Sequence, residues 1–351
     1  DMAKYYPFLP KAEKHLGETY VEGRAINIID YDEVMALQNG DILESTRVID
    51  PNDIASYFHT GGTTGVPKLA QHTHINEAYM TWIMAQSIDI DGSTGSNFCG
   101  LPLFHVNAFF VSGLIPFSKG TTVILAPPQG YRAPGLIKNF WKLVEKYKIH
   151  SFSGVPTIYA ALIDVPIDGC DISSLTYGIC GAAPMPPKLI TRFQNKIGIR
   201  ILEGYGLTEN TCVASSNPYA GLSKVGSIGL RIPYTQVKIV KMNGDNYIED
   251  CYPGEIGNIV LKGPGVFPGY KEETRNSGAL LGDGWLNTGD LARMDKDEYI
   301  WLTGRAKDLI IRGGHNIDPS MIEDTLSEHE AVELAAAIGQ PDARLGEVPV
   351  A

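Results

Sequence analysis

The sequence predicts an α/β fold, with a large N-terminal domain of mainly parallel sheets flanked by helices. A small β subdomain and the start of a small α+β C-terminal domain would follow it. Three observations carry this. From Asp53 onward, apolar runs of strand length alternate with stretches of helical periodicity, as in a parallel sheet covered on both faces. After about Ser215 the texture changes to short alternating runs split by turn residues such as Asn243-Gly244-Asp245, which is hairpin chemistry. From Asp308 a strand-like Leu309-Ile310-Ile311 leads to Gly313-Gly314 and to a helix opening near Pro319.

The expected division is therefore 1–215, 216–307 and 308–351. In the first part, strands are expected at 54–58, 97–101, 121–125, 150–152, 176–180 and 200–202. Helices are expected at 75–88, 106–114 and 136–147, the last with Ile137, Phe140, Trp141 and Val144 on one face. The first fifty residues mix short apolar runs with Gly and Pro and carry no usable motif. In parallel sheets of this kind, ligands gather at the loops leaving the strand ends.

Composition narrows the function. The 351 residues carry a formal net charge of -11 with no long block of one sign. That argues against bulk nucleic-acid binding and fits an enzyme of small anionic ligands, which then needs local positive sites. No apolar run approaches the roughly 18–20 residues of a membrane span; the best, at 109–117, is broken by Ser112, Gly113 and Pro116. Five cysteines, odd in number and far apart, point to free thiols in a reducing compartment, hence a cytoplasmic protein. His72 and His74 have no third metal ligand clustered beside them.

One stretch, "YFHTGGTTGVPKLA" at 57–70, looks made for phosphate. Gly61, Gly62 and Gly65 admit backbone conformations closed to other residues, so consecutive amides can face one concavity. Thr60, Thr63 and Thr64 add hydroxyls, and Lys68 adds a charge. The spacing is not that of the familiar P-loop, which would need glycine where Pro67 stands. The plainer alternative is a mobile Gly/Thr connection between strand and helix, but a phosphate role is favoured.

Five further stretches follow in order: "LPLFHVN" (101–107), "ICGAAPMP" (179–186), "LEGYGLTEN" (202–210), "GWLNTGDLARMD" (284–295) and "TGRAKDLIIRGGHNIDP" (303–319). With the opening loop they resemble the adenylate-forming superfamily of AMP-binding enzymes: acyl-CoA synthetases, carrier-protein adenylation domains and firefly-type luciferases. The "GRAKDLIIRGGHNIDP" run looks more like the acyl-CoA and fatty-acid CoA ligases. Gly61 stands where the family usually has Ser, and Leu69 where Gly is usual.

The resemblance implies two half-reactions: a carboxylic acid and ATP form an acyl-adenylate and pyrophosphate, then a thiol, usually coenzyme A, takes the acyl group and AMP leaves. It implies that the loop of Thr60, Gly61, Gly62, Thr63, Thr64, Gly65 and Lys68 holds the β- and γ-phosphates. Thr208 would bond the α-phosphate and Glu209 would hold Mg²⁺. Tyr205 would lie against adenine, with Gly181, Ala182 and Ala183 along the ring's edge and Glu203, Gly204 and Gly206 in the same motif. Asp290 would accept the ribose hydroxyls, Arg305 would approach the ribose and phosphate side, and His105 would sit near the acyl carboxylate. Asp308 matches the family hinge on which a small C-terminal domain swings, and Gly313-Gly314 would abut the thiol channel.

Singly, these residues have plainer readings. Tyr205 could be a core tyrosine, Thr208-Glu209 a helix start, Asp290 a turn residue and His105 a cap. The alternatives in function are a domain that loads a carrier protein and a nucleotide-binding module without turnover. The family's lysine in a Gly-Lys context beyond the hinge has no match here, and Gly346-Glu347 does not fit it. The expectation is an internal piece of a longer synthetase, impaired in adenylation by itself. Phe104, Phe109, Phe110, Val155, Pro156 and Ile158 offer apolar wall material for a fatty or aryl acid.

Overall fold

The computed structural model describes residues 17–21, 24–28, 30–38, 40, 45–60, 67–88, 95–167, 169–305, 308–312, 315–317, 319–327, 329, 331–332, 335–342 and 344–351. They fall into two compact units, Asp1–Ile49 and Asp50–Ala351. In the first, strands β1 (Gly17–Val21) and β2 (Arg24–Ile28) form an antiparallel hairpin followed by helix α1 (Tyr31–Ala36). Asp30 caps α1, its Oδ1 accepting the amides of Asp32 and Glu33.

The second unit opens with an antiparallel hairpin of β3 (Ile54–Thr60) and β4 (Lys68–Thr73), in which Thr60 pairs with Lys68. Both ends of the Gly/Thr loop are thereby pinned to one ladder. Helix α2 (His74–Ser87) follows directly. Thr73 and Asn76 form a reciprocal capping box at its start, and Tyr79, Met80, Ile83 and Met84 are buried.

Next comes a seven-stranded sheet of β5 (Ser96–Cys99), β6 (Thr122–Leu125), β7 (Ile149–Gly154), β8 (Tyr177–Cys180), β9 (Arg200–Gly206), β10 (Val213–Ser216) and β11 (Leu230–Arg231). Its order is β11-β10-β9-β8-β7-β5-β6. The five strands from β6 to β9 run parallel, and β10 and β11 add an antiparallel edge. Successive residues of β9 serve opposite faces. Ile201 joins a core with Phe140, Trp141, Phe152, Tyr159 and Phe193, while Leu202 joins Met80, Ile83, Phe110 and Ile115. Helices α4 (Phe140–Tyr147), α5 (Pro156–Ile163) and α6 (Pro187–Ile197) supply the first core; α2 and the helical segment 107–118, which ends in α3 (Ile115–Ser118), supply the second.

The remaining sheets are antiparallel. β12 (Gln236–Asn243), β13 (Asn246–Asp250), β14 (Gly257–Lys262), β15 (Leu280–Leu281), β16 (Trp285–Met294) and β17 (Ile300–Arg305) make one. β18 (Ile310–Arg312), β19 (His315–Ile317), β20 (Ile338–Asp342) and β21 (Gly346–Val350) make the last, with α7 (Pro319–Ser327) between β19 and β20. Among the described residues no helix is long and apolar enough to cross a membrane.

Three elements differ from the sequence expectation. The helix at 106–114 winds as a π-helix over Asn107–Leu114, and the Ile115 amide reaches back to the Phe110 carbonyl. Such wide turns occur often at functional sites. At 136–147 a single 3₁₀ turn, Ile137–Asn139, precedes the α-helix. Strand β9 runs through Gly206 rather than stopping at Leu202. Side-chain polarity breaks the apolar run there, but backbone pairing with β10 does not depend on it. A Cβ on Gly206 would lie 1.7 Å from the Cys212 carbonyl oxygen, so only glycine permits that pairing.

Candidate active site

The order of the large sheet reverses at β5: β6 lies on one side, β7, β8 and β9 on the other. In such sheets the crevice beyond the carboxyl ends is the usual ligand position. Three of the predicted motifs leave strands of this sheet at that end: 101–107 after β5, and 181–183 and 207–210 after the adjacent β8 and β9. Asn107 ties the first to the sheet by accepting the Ser153 hydroxyl at 2.7 Å.

Tyr205, at the end of β9, is buried and donates its hydroxyl to Asp290 Oδ2 at 2.7 Å. Asp290 lies on β16 opposite Arg305 on β17, and Arg305 Nε reaches Asp290 Oδ1 at 3.1 Å. Burial raises the Asp290 carboxyl above the ordinary range, and the Tyr205 and Arg305 partners oppose that rise. The Tyr205 phenol is pushed well above 10, first by burial and then by the Asp290 charge. Each carboxylate oxygen carries a second lone pair, so this group retains acceptor capacity for a diol.

Just beyond, Thr208–Asn210 forms a 3₁₀ turn. His72 Nε2 lies 2.7 Å from the Thr208 carbonyl oxygen, which can only accept, so Nε2 carries the proton. His72 Nδ1 is buried and finds no partner among the described residues. Burial brings the imidazole down to about 4, against the opposing pull of the Thr208 bond. Glu209 Oε1 accepts the Tyr270 hydroxyl at 2.6 Å, and the Glu209 carbonyl accepts the Phe267 amide at 2.9 Å. The Lys68 ammonium sits 4.6 Å from the centroid of the same Tyr270 ring. Thr60, Lys68, Tyr270, Glu209 and Thr208 thus adjoin one another. Among the described residues no group of three or more His, Cys, Asp or Glu forms a metal cage. A lone Glu209 suits Mg²⁺, which takes one or two carboxylates and completes its shell with phosphate and water.

Gly181 is buried against the Gly204 carbonyl, and a Cβ there would stand 3.4 Å from that oxygen. Ala182 holds φ at +69° and Ala183 is exposed. Positive φ in a residue with a side chain is strained and clusters at functional sites. Glu203 is turned elsewhere: its Oε2 accepts the Gly226 amide at 2.9 Å. It also lines a cavity of about 450 Å³ with Gln194, Asn217 and Leu222. Burial lifts its carboxyl to about 7, the Gly226 bond opposing.

His105 is exposed, with its ring 5.8 Å from His59 and 4.6 Å from Phe104. Partial burial and the neighbouring His59 lower its basicity. Of the apolar wall candidates, Phe104 is exposed, whereas Phe110 is fully buried in the core. Asp308 is described, its amide donating to the Arg305 carbonyl at 2.9 Å. Gly61, Gly62, Thr63, Thr64 and Gly65, and likewise Gly313 and Gly314, lie outside the described residues.

Sequence reasoning did not find Tyr270 or the role of His72. The signal was weak: Tyr270 lies in the glycine-spaced "GPGVFPGY", and His72 is an imidazole on the strand leaving the phosphate loop.

The fold is shared with solved coenzyme A synthetases. O-succinylbenzoate coenzyme A synthetase from Bacillus subtilis, solved with ATP and magnesium ion, superposes with a TM-score of 0.76 at 29% identity, covering 92% of this chain and 64% of that one. The chain belongs to the AMP-binding enzyme family, whose pattern matches residues 9–271. It is 48% identical over 310 residues to a marinolic acid–CoA ligase of a Pseudoalteromonas species, covering 87% of this chain and 47% of the relative. It is 33% identical over 344 residues to a long-chain-fatty-acid–CoA ligase of Bacillus subtilis, covering 97% of this chain and 59% of the relative. The chain therefore spans about half the length of the curated relatives it matches.

Proposed function

We propose that this chain carries the nucleotide- and acid-handling part of an AMP-forming acid–thiol ligase that makes an acyl-CoA. The observation that carries the reading is the single strand end at 205–209. There a buried ring bonded to the Asp290 carboxylate is followed within four residues by Glu209, which adjoins Lys68 through Tyr270. One short segment would thus span the ground between a nucleoside and its phosphates.

In the first half-reaction a carboxylate oxygen attacks the α-phosphorus of ATP and pyrophosphate leaves. In the second, the sulfur of coenzyme A attacks the acyl carbon, AMP leaves and the thiol proton is released. The obstacle in the first is bringing an anion against a polyanion, so alignment and charge neutralisation dominate. Lys68 and the Gly/Thr loop would receive the terminal phosphates, Thr208 the α-phosphate and Asp290 the ribose. Tyr205 would lie against adenine beside the 181–183 backbone. Arg305 would add positive charge near the ribose, and His105 would stand at the entry for the acid. Mg²⁺, held by Glu209, would supply charge neutralisation at the phosphate oxygens. Asp308 would serve as the hinge of the segment 308–351.

The acid is proposed to be fatty or aryl, the fatty reading being in keeping with the long-chain-fatty-acid relative's name. The five free cysteines suit a cytoplasmic setting. The test is acid-dependent exchange of pyrophosphate into ATP across long-chain and aromatic acids, followed by AMP release with free coenzyme A. Exchange with at least one acid and acceleration by coenzyme A are expected. ATP binding without exchange for any acid would reduce the protein to a nucleotide-binding module.

A further inference from the structure

We propose that Tyr270 is a positioning residue that holds Glu209 in the geometry for Mg²⁺ and keeps Lys68 beside it without letting the two pair. This rests on the nucleotide reading given above.

The tyrosine is placed with unusual thoroughness. Its backbone bridges to Ala70 of β4, the Lys271 amide donates to the Leu69 carbonyl at 2.8 Å, and the Gln71 amide donates to Gly269 at 3.1 Å. Its own amide donates to Asn276 Oδ1 at 2.7 Å, and Phe267 packs edge-on at 4.9 Å. The ring is therefore fixed relative to the strand that carries Lys68. Its two ends do different work. The hydroxyl makes a short bond to Glu209 Oε1, in the range of hydrogen bonds to ionised acceptors. The π-face lies under the Lys68 ammonium, an attractive arrangement that leaves the ammonium's donors free.

The consequence is chemical. Lys68 over the face and Glu209 at the hydroxyl of one ring carry opposite charges, and no ion pair joins them among the described residues. A direct pair would occupy the lysine donors needed by phosphate and the carboxylate oxygens needed by the metal. The ring separates the charges while the hydroxyl fixes the carboxylate rotamer. Partners of this kind behind a metal ligand typically matter about 10–100-fold in metal affinity.

Calorimetric titration of ATP, in excess Mg²⁺ and in EDTA, tests this on the unmutated protein, Tyr270→Phe, Tyr270→Leu and Glu209→Gln. Tyr270→Phe keeps the ring and should leave ATP affinity in EDTA within about twofold, yet cut the gain from Mg²⁺ by about tenfold or more. Tyr270→Leu should also weaken binding in EDTA, because Lys68 loses its seat. Glu209→Gln should lose the Mg²⁺ gain, and adding Tyr270→Phe to it should change nothing further. Mg²⁺ dependence of Tyr270→Phe equal to the parent's, with the fold intact by circular dichroism, overturns the proposal and leaves the nucleotide reading standing. Absence of ATP binding to the unmutated protein overturns both.

Discussion

The Tyr205 hydroxyl and the Asp290 carboxylate, 85 residues apart in sequence, meet at 2.7 Å where the parallel sheet abuts the small β subdomain. The bond satisfies a buried acid whose other oxygen, among the described residues, meets Arg305. Tyr205→Phe removes the donor and keeps the ring. A hydrogen bond to a charged group contributes about 1.5–3 kcal/mol, and a loss of that order is expected in urea unfolding. Asp290→Asn should recover part of it in the phenylalanine background, because the uncompensated charge is gone.

His72 makes stability fall on acidification. The unfolded imidazole takes up a proton near pH 6.5, whereas burial delays uptake in the folded protein to about 4. Between those values the unfolded chain binds more protons, so folding weakens as pH drops, by about 3 kcal/mol in all. His72→Gln should be less stable at pH 7 but lose this component of the slope. Urea midpoints from pH 7 to 4 would show the two curves converging.

Glu203 acts in the opposite sense. Its carboxyl is raised to about 7 by burial, so the folded protein keeps the proton while the unfolded chain releases it near 4.5. Stability is greatest below that range and falls as pH rises through 7, by up to about 3 kcal/mol. Glu203→Gln retains an acceptor for the Gly226 amide. It should match the parent near pH 4.5 and exceed it by up to about that amount at pH 8 in chemical denaturation.

Ala182 holds a left-handed backbone at the edge proposed for adenine, with φ at +69°. Such a conformation costs a side-chain-bearing residue about 1–2 kcal/mol, partly offset by the freedom glycine gains when unfolded. Ala182→Gly should therefore stabilise the fold by about 0.5–1 kcal/mol, read as a raised denaturant midpoint.

Much of the candidate site is legible as motifs because these lie in short contiguous segments at strand ends. The "GAA" of 181–183 and the "GYGLTE" of 204–209 each sit within a few residues of a strand terminus. The unread parts depend on partners far along the chain. Tyr270 meets Glu209 across 61 residues, and His72 meets Thr208 across 136; no local pattern encodes either. The π winding at Asn107–Leu114 was hidden because its apolar run fits an ordinary helix equally well. The hairpin and helix of the first unit were missed because they carry no motif and little periodicity.

Strand β4 carries Lys68, Ala70 and His72 at alternate positions, on one side of the ribbon. The first faces the ring of Tyr270, the second bridges to that residue's backbone, and the third steadies the Thr208 carbonyl. A slip of a single position would swing all three to the opposite side at once. An insertion or deletion within this hairpin would consequently not degrade the proposed phosphate end by degrees; ammonium, anchor and imidazole would be lost together.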